Sequence, residues 1–442
     1  MLRKEFFRRE FEQREDGPRG APFQPEHSNQ QHYVSMSAAV AQGGERAQPM
    51  TAASKQFDPD DLGPVVIRNG EVVLPDRSIP DGTVVVEKGL ISYAGPARNT
   101  PRGAVEVDAR GGYVTPGLID AHIHGAGLVG WETCSADGLE ALQATLLAHG
   151  IVRFVPTMMA DEQVVRRVAD LLETASCSDR VPGIYLEGPF ISPEKRGGIQ
   201  PRYVRPVDLR YLNKLQRIAR HRIRMMTFAP ELDDAEGLPA AMRELGILPC
   251  VGHSQATASR AADVCGRHKV CCTHLYNAMS GLDHREPGLA AFALNQNRVY
   301  AELNPDGTHV APELLRITRR AKSTNRIVLI SDAVASAGAK PGVYDYMNRK
   351  VRSSERGVYY VDGGTLVGSS ILLNQGVKRF MKFTGAPVHE AVRMASLNPA
   401  HLLGLGRKTG SLEPGKSAEV AVFSRNLAKV HAVFWKGKLL IG

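Results

Sequence analysis

Five apolar stretches end in side chains that can hold a metal ion. They are "GLIDAHIH" (117–124), "PGIYLEG" (182–188), "ILPCVGHS" (247–254), "KVCCTHL" (269–275) and "RIVLISDA" (326–333). The residues that close them are His122 with His124, Glu187, His253, His274 and Asp332. Side chains two apart on a strand share a face, so His122 and His124 can point inward together. Imidazoles and carboxylates are good ligands for Zn²⁺ and related divalent ions. Taken singly, each residue has a plainer reading. A lone histidine is more often a satisfied core or surface residue, and an aspartate at a strand end is often a helix cap. Their recurrence at strand ends points to one metal centre. Glu187 is the sharpest case. A carboxylate that ends a buried strand has lost its hydration and needs a cation, a hydrogen-bond network or a raised pKa.

Such a centre requires elements that bring distant segments together. Three further apolar runs, "IVRFVPTM" (151–158), "RMMTFAPE" (224–231) and "RVYAELN" (298–304), bring the strand-like runs to eight. They alternate with helical patterns such as "EQVVRRVADLLETA", "GLPAAMRELG" and "ELLRITRRAK". Alternating buried strands and helices predict an α/β fold, a (β/α)8 TIM-like barrel, whose chemistry gathers where strands end and loops begin. Outside the barrel, "PVVIRN", "EVVLP", "GTVVVEKG" and "LISYAG" resemble "AEVAVFS" and "KVHAVFWKGKLLI" near the C-terminus. These runs predict a small β-sandwich domain built from both ends of the chain, residues 62–114 and 408–442, around a barrel of residues 115–407. Residues 1–61, rich in Gln, Ser, Gly, Pro and charge, read as a disordered N-terminal arm.

Composition narrows the class. The chain has 442 residues, no apolar run of membrane-spanning length, and a charged beginning without the apolar core of a secretory signal. The six cysteines form no C-x-x-C pair, which favours reduced, buried thiols in a cytoplasmic protein. The formal charge is +9, but residues 1–61 hold 8 basic and 10 acidic side chains, so the excess lies in the body. No Lys/Arg block with interleaved aromatics marks a nucleic-acid surface.

The motifs carry a family likeness. "VTPGLIDAHIHG", "YLEGPF", "VGHSQAT", "THLYNAM", "REPGLAA", "DGTHV", "ISDAVASAG", "VGSSILLNQGV" and "MASLNPAHLLGL" resemble the amidohydrolase superfamily, and within it the N-acetylglucosamine-6-phosphate deacetylases. The likeness covers about residues 62–442. It implies that Glu187, His253 and His274 are metal ligands, and that His122 and His124 are the additional pair of two-metal members, with Glu187 bridging. The cofactor implied is one or two divalent ions, Zn²⁺ first and Fe²⁺ or others as alternatives. Asp332 is implied to take a proton from the attacking water and return it to the leaving amine. A substrate phosphate is implied to rest on Arg285, His309 and the backbone amides of Asn277 and Ala278. Part of that set is expected to reach a neighbouring subunit, so a homodimer acting on an amino sugar phosphate is implied. "VGSS" (367–370) is expected to cap a helix near the site.

One loop departs from the pattern. After "EGPF" relatives read Lys-Gly-x-His-Asn/Asp-Pro, whereas this chain reads "KRGGIQP". Ile199 stands in place of a substrate-facing histidine, with Gln200 beside it. Isoleucine neither donates a hydrogen bond nor carries charge. The alternatives are therefore a different N-acyl sugar, a cyclic amide, or a non-catalytic scaffold; a register shift could also let Gln200 supply the lost donor.

Overall fold

The structure is a computed structural model that describes residues 63–442. The arm expected over residues 1–61 lies outside the described residues, apart from their border at Gly63.

All eight expected barrel strands form. They are Leu118–Ile123, Ile151–Met159, Ile184–Glu187, Ile223–Phe228, Leu248–Val251, Cys271–Cys272, Tyr300–Leu303 and Ile327–Leu329, parallel and in sequential order. The ring closes where Ile123 bridges Ala333 and the Asp332 amide donates to the His122 carbonyl at 3.0 Å. Parallel strands covered on both faces must be apolar throughout. Accordingly Ala121, Val155, Tyr185, Met225 and Cys250 fill the barrel interior, while Leu118, Phe154, Leu186 and Met226 pack outward.

The surrounding helices are amphipathic and well started. Asp161 accepts from the amides of Gln163 and Val164 at the head of Glu162–Thr174, whose Val165, Val168, Ala169 and Leu172 are buried. That spacing is the helical face turned to the sheet. Asp208 caps Leu209–Ile218 in the same way. No helix among the described residues is long and apolar enough to cross a membrane.

The two ends of the chain meet in one eight-stranded sheet. Val420–Phe423 pairs antiparallel with Tyr113–Pro116, and Val430–Trp435 lies on its other side. Val65, Ile67, Val84 and Ile91 pack with Val420, Val422 and Phe434. One charged contact ties this sheet to the barrel. Arg153 of the second barrel strand donates to both oxygens of Glu419, at 2.8 and 2.7 Å. Thr409 adds a third donor at 2.7 Å, and Glu419 is 3 % exposed.

After the last barrel strand the chain makes a small sheet that the periodicity had not announced. Gly342–Tyr346, Arg349–Ser354, Gly357–Tyr360 and Leu366–Gly368 form four antiparallel strands. The first hairpin turns on Met347 and Asn348, with φ of 52° and 61°. Two consecutive left-handed residues are what a two-residue type I′ turn needs. Val367 and Gly368 thus end a strand and do not cap a helix. The Ser369 amide donates to the Asp332 carbonyl at 2.8 Å, and the next helix starts only at Leu373.

Removing one partner of a buried, hydrogen-bonded ion pair leaves the other charge stranded. Arg153→Ala is expected to destabilise the fold by about 3 kcal/mol. Urea unfolding would read this, and an unchanged midpoint would mean that Glu419 is satisfied without Arg153.

Candidate metal centre

The expected ligands converge at the C-terminal mouth of the barrel. Most sit just beyond the strands and not within them. Glu187 is the last residue of its strand, but His253 and His274 follow Val251 and Cys272 by two positions. The chain turns sharply there. His253, His274 and Asp332 have φ of 47°, 26° and 50°. Left-handed φ is unfavourable for non-glycine residues, by about 1–3 kcal/mol each. The turns aim three side chains at one point, and the surrounding fold holds them there.

Glu187 lies at the centre. Its Oε1 is 3.0 Å from His274 Nε2, 3.4 Å from His253 Nε2 and 3.5 Å from His122 Nε2. Its Oε2 is 3.3 Å from His124 Nε2. Asp332 Oδ1 stands 3.4 Å from His124 Nε2 and 3.6 Å from His122 Nε2. These residues fall into two groups, His122–His124–Asp332 and Glu187–His253–His274, and within each group the donor atoms lie within 4.8 Å of one another.

The ring nitrogens facing away from the centre decide what faces into it. His253 Nδ1 donates to the Lys195 carbonyl at 2.9 Å, an acceptor only. His122 Nδ1 lies 3.0 Å from the buried carboxylate of Glu302. With the proton on Nδ1, each Nε2 presents a lone pair inward. Yet His253 Nε2 and His274 Nε2 are 3.1 Å apart, and His122 Nε2 and His124 Nε2 are 3.2 Å apart. Lone pairs that close repel unless positive charge lies between them.

The electrostatics carry the same demand. Burial opposes charge on His122, but Glu302 and Glu187 outweigh it and hold its pKa at about 9. Burial likewise opposes charge on His124, and Asp332 and Glu187 hold its pKa well above the usual value. Burial should raise Glu187, but the four imidazoles drive it well below the carboxylate range. Asp332 is brought to about 2 by His124, His122 and His309 against the same burial. The cluster needs cationic charge, as imidazolium protons or as metal. Its donor set of imidazole nitrogens and carboxylate oxygens fits divalent ions.

A cavity of about 330 Å³ opens above this cluster. Asn277, Ala278 and His309 line it, as expected of substrate contacts. His309 reaches deeper than a phosphate subsite suggests. Its Nδ1 is 2.6 Å from Asp306, and its Nε2 is 3.6 Å from Asp332 Oδ2. Arg285 stands apart, in an exposed loop outside the cavity lining. Among the described residues Lys195 is the one lysine or arginine that lines the cavity. Ile199 does line it, buried at 3 % exposure. Gln200 turns away and donates to the Met347 carbonyl at 3.2 Å, so it does not replace a lost donor in the cavity.

Sequence reasoning passed over Glu302, and over Tyr346, Tyr360 and Val367 of the small antiparallel sheet, which also face the cavity. Glu302 had left a signal: an acid inside the apolar run "RVYAELN" needs a partner.

Residues 113–440 match the amidohydrolase family model. The chain belongs to the amidohydrolase family. This amidohydrolase is 31% identical to the N-acetylglucosamine-6-phosphate deacetylase of Bacillus subtilis, over 81% of this chain and 93% of that one. It is 30% identical to the N-acetylgalactosamine-6-phosphate deacetylase of Escherichia coli O157:H7, over 85% and 98% of the two chains. Its fold is similar to the crystal structure of the N-acetylglucosamine-6-phosphate deacetylase of Pasteurella multocida, with a TM-score of 0.80 and 27% identity over 86% of this chain and all of that one. The likeness drawn from "YLEGPF" and "THLYNAM" is borne out.

Glu302→Gln keeps the shape but removes the charge that fixes the His122 proton on Nδ1. Losing an outer partner of a ligand histidine typically costs 10–100-fold in metal affinity. Elemental analysis after dialysis against a chelator should show faster metal loss from the variant. Equal retention would mean that Glu302 does not orient His122.

Proposed function

We propose that this amidohydrolase removes the N-acetyl group of an N-acetylhexosamine 6-phosphate, N-acetylglucosamine-6-phosphate first, releasing acetate and an amino sugar phosphate. The observation that carries the reading is the division of labour on Glu187. One oxygen faces His253 and His274 while the other faces His124, with Asp332 alongside. That is the arrangement of a bridging ligand between two ion sites, next to an ionised carboxylate.

The divalent metal, proposed as Zn²⁺ with Fe²⁺ as an alternative, would supply acidification of water and polarisation of the amide carbonyl when bound at His122, His124, Glu187, His253 and His274. The remaining work falls to this chain. Asp332 holds the water by a hydrogen bond, takes its proton and returns it to the amine as the C–N bond breaks. That return matters because an amine anion is too poor a leaving group. His309, kept upright by Asp306, sits on the far side of Asp332 and orients its second oxygen. A phosphate on His309 would face Asp306 and Asp332 at close range, so the phosphate is assigned to the outer end of the cavity. The donors proposed there are the Asn277 and Ala278 amides and Lys195.

Arg285 is proposed to complete the phosphate site of a neighbouring subunit, since its loop is exposed in the single chain. The working form would then be a homodimer. A cytoplasmic location is in keeping with six free, buried cysteines. A second reading, a different N-acyl sugar, is favoured by Ile199 and by the galactosamine-directed relative. Acetate release from N-acetylglucosamine-6-phosphate, N-acetylgalactosamine-6-phosphate and unphosphorylated N-acetylglucosamine, measured side by side, separates these.

Two variants test the roles. Asp332→Asn should lower kcat by roughly 10²–10⁴-fold while keeping its metal, and near-normal turnover would remove Asp332 from the proton path. Arg285→Ala should raise KM for the phosphorylated substrate at least tenfold more than for its unphosphorylated counterpart, a loss of about 1.4 kcal/mol. Equal effects on the two would mean that no phosphate meets Arg285.

A further inference from the structure

The wall of the cavity beside the metal cluster is apolar, and a deacetylase needs little of it. Met159 is the neighbour of Glu187 in strand register. Ile199 packs on Met159 and on Ile191, with Met347 of the small sheet closing the cluster from outside. Val367 continues the surface across the loop, since a Cβ on Gly198 would come within 3.2 Å of Val367 Cγ1. Ile199 and Ile191 are buried, and no polar side chain interrupts this cluster.

Chemistry decides which part of a substrate can lie there. Sugar hydroxyls and phosphate lose about 1–3 kcal/mol each when buried without partners. Facing Met159 and Ile199 they would find none. The amide carbonyl must lie at the metal cluster to be attacked, so the group attached to it is the one next to Glu187 and hence next to Met159. That group is the acyl chain. One methyl covers only a small part of the surface that Met159, Ile199 and Val367 present.

Resting on the deacetylase reading above, we propose that Ile199 is a specificity-determining residue and that the cavity prefers N-acyl chains longer than acetyl. The substrate class is then an N-acylhexosamine phosphate with a short aliphatic acyl group. Each buried methylene should raise kcat/KM about fourfold until the wall is filled.

The test compares kcat/KM of the metal-loaded enzyme on N-acetyl-, N-propionyl- and N-butyryl-glucosamine 6-phosphate. The expected propionyl-to-acetyl ratio is about 4. In Ile199→His, which sets a polar ring into the wall, the ratio should fall to 1 or below. Val367→Thr keeps the shape while adding a hydroxyl, and should lower the ratio as well. It serves if the histidine variant unfolds, which thermal melting would reveal. A wild-type ratio below 1, or one that neither variant moves, overturns the proposal while leaving acetyl hydrolysis intact. Failure to hydrolyse any of the three compounds overturns the deacetylase reading along with it.

Discussion

Four imidazoles crowd around one carboxylate in a space closed to solvent, with nitrogen atoms 3.1 and 3.2 Å apart. Neutral rings would repel at that range, and charged ones would need more counter-charge than Glu187 and Asp332 supply. A divalent ion resolves the conflict because it is attractive to lone pairs and carboxylates alike. The rest of the architecture can be understood as the means of holding that arrangement. The ligands come from strands one, three, five, six and eight, and only a closed ring of parallel strands brings five such ends to one mouth. The unfavourable backbone at His253, His274 and Asp332 is tolerated because neighbouring strands fix it.

The covering layers are tied into the same centre. Residues after Glu187 loop across the mouth and grip His253 twice. The Ser192 amide donates to its carbonyl, and its ring donates to the Lys195 carbonyl, each at 2.9 Å. The same loop meets the small antiparallel sheet, where Tyr360 donates to the Gly198 carbonyl at 3.4 Å. A ligand histidine, a covering loop and a peripheral sheet thus form one mechanical chain, so movement of the cover is felt by the metal shell.

How much of this could be read from the residues follows from range. Barrel strands were legible because burial on both faces leaves continuous apolar runs, as in "RIVLISDA". His122 and His124 were legible because strand geometry relates positions two apart. Glu302 was not picked out, since its partner His122 is 180 positions away. The small sheet was missed because its strands alternate weakly between polar and apolar, and Val343 and Val361 remain exposed on it. Ile199 was noticed as an oddity, but its reason is packing against Met159 and Met347, which only the fold supplies. Arg285 kept its expected residue type, yet a single chain leaves it outside the cavity.

Val420–Phe423 is inserted between strands that were made some three hundred positions earlier. During synthesis, therefore, the sheet that begins at Val65 has an open edge at Tyr113–Pro116 until the last residues leave the ribosome. An unpaired edge invites pairing with other nascent chains. A truncated translation product that stops short of Val420 would carry a full set of metal-binding side chains on a body whose frame cannot close.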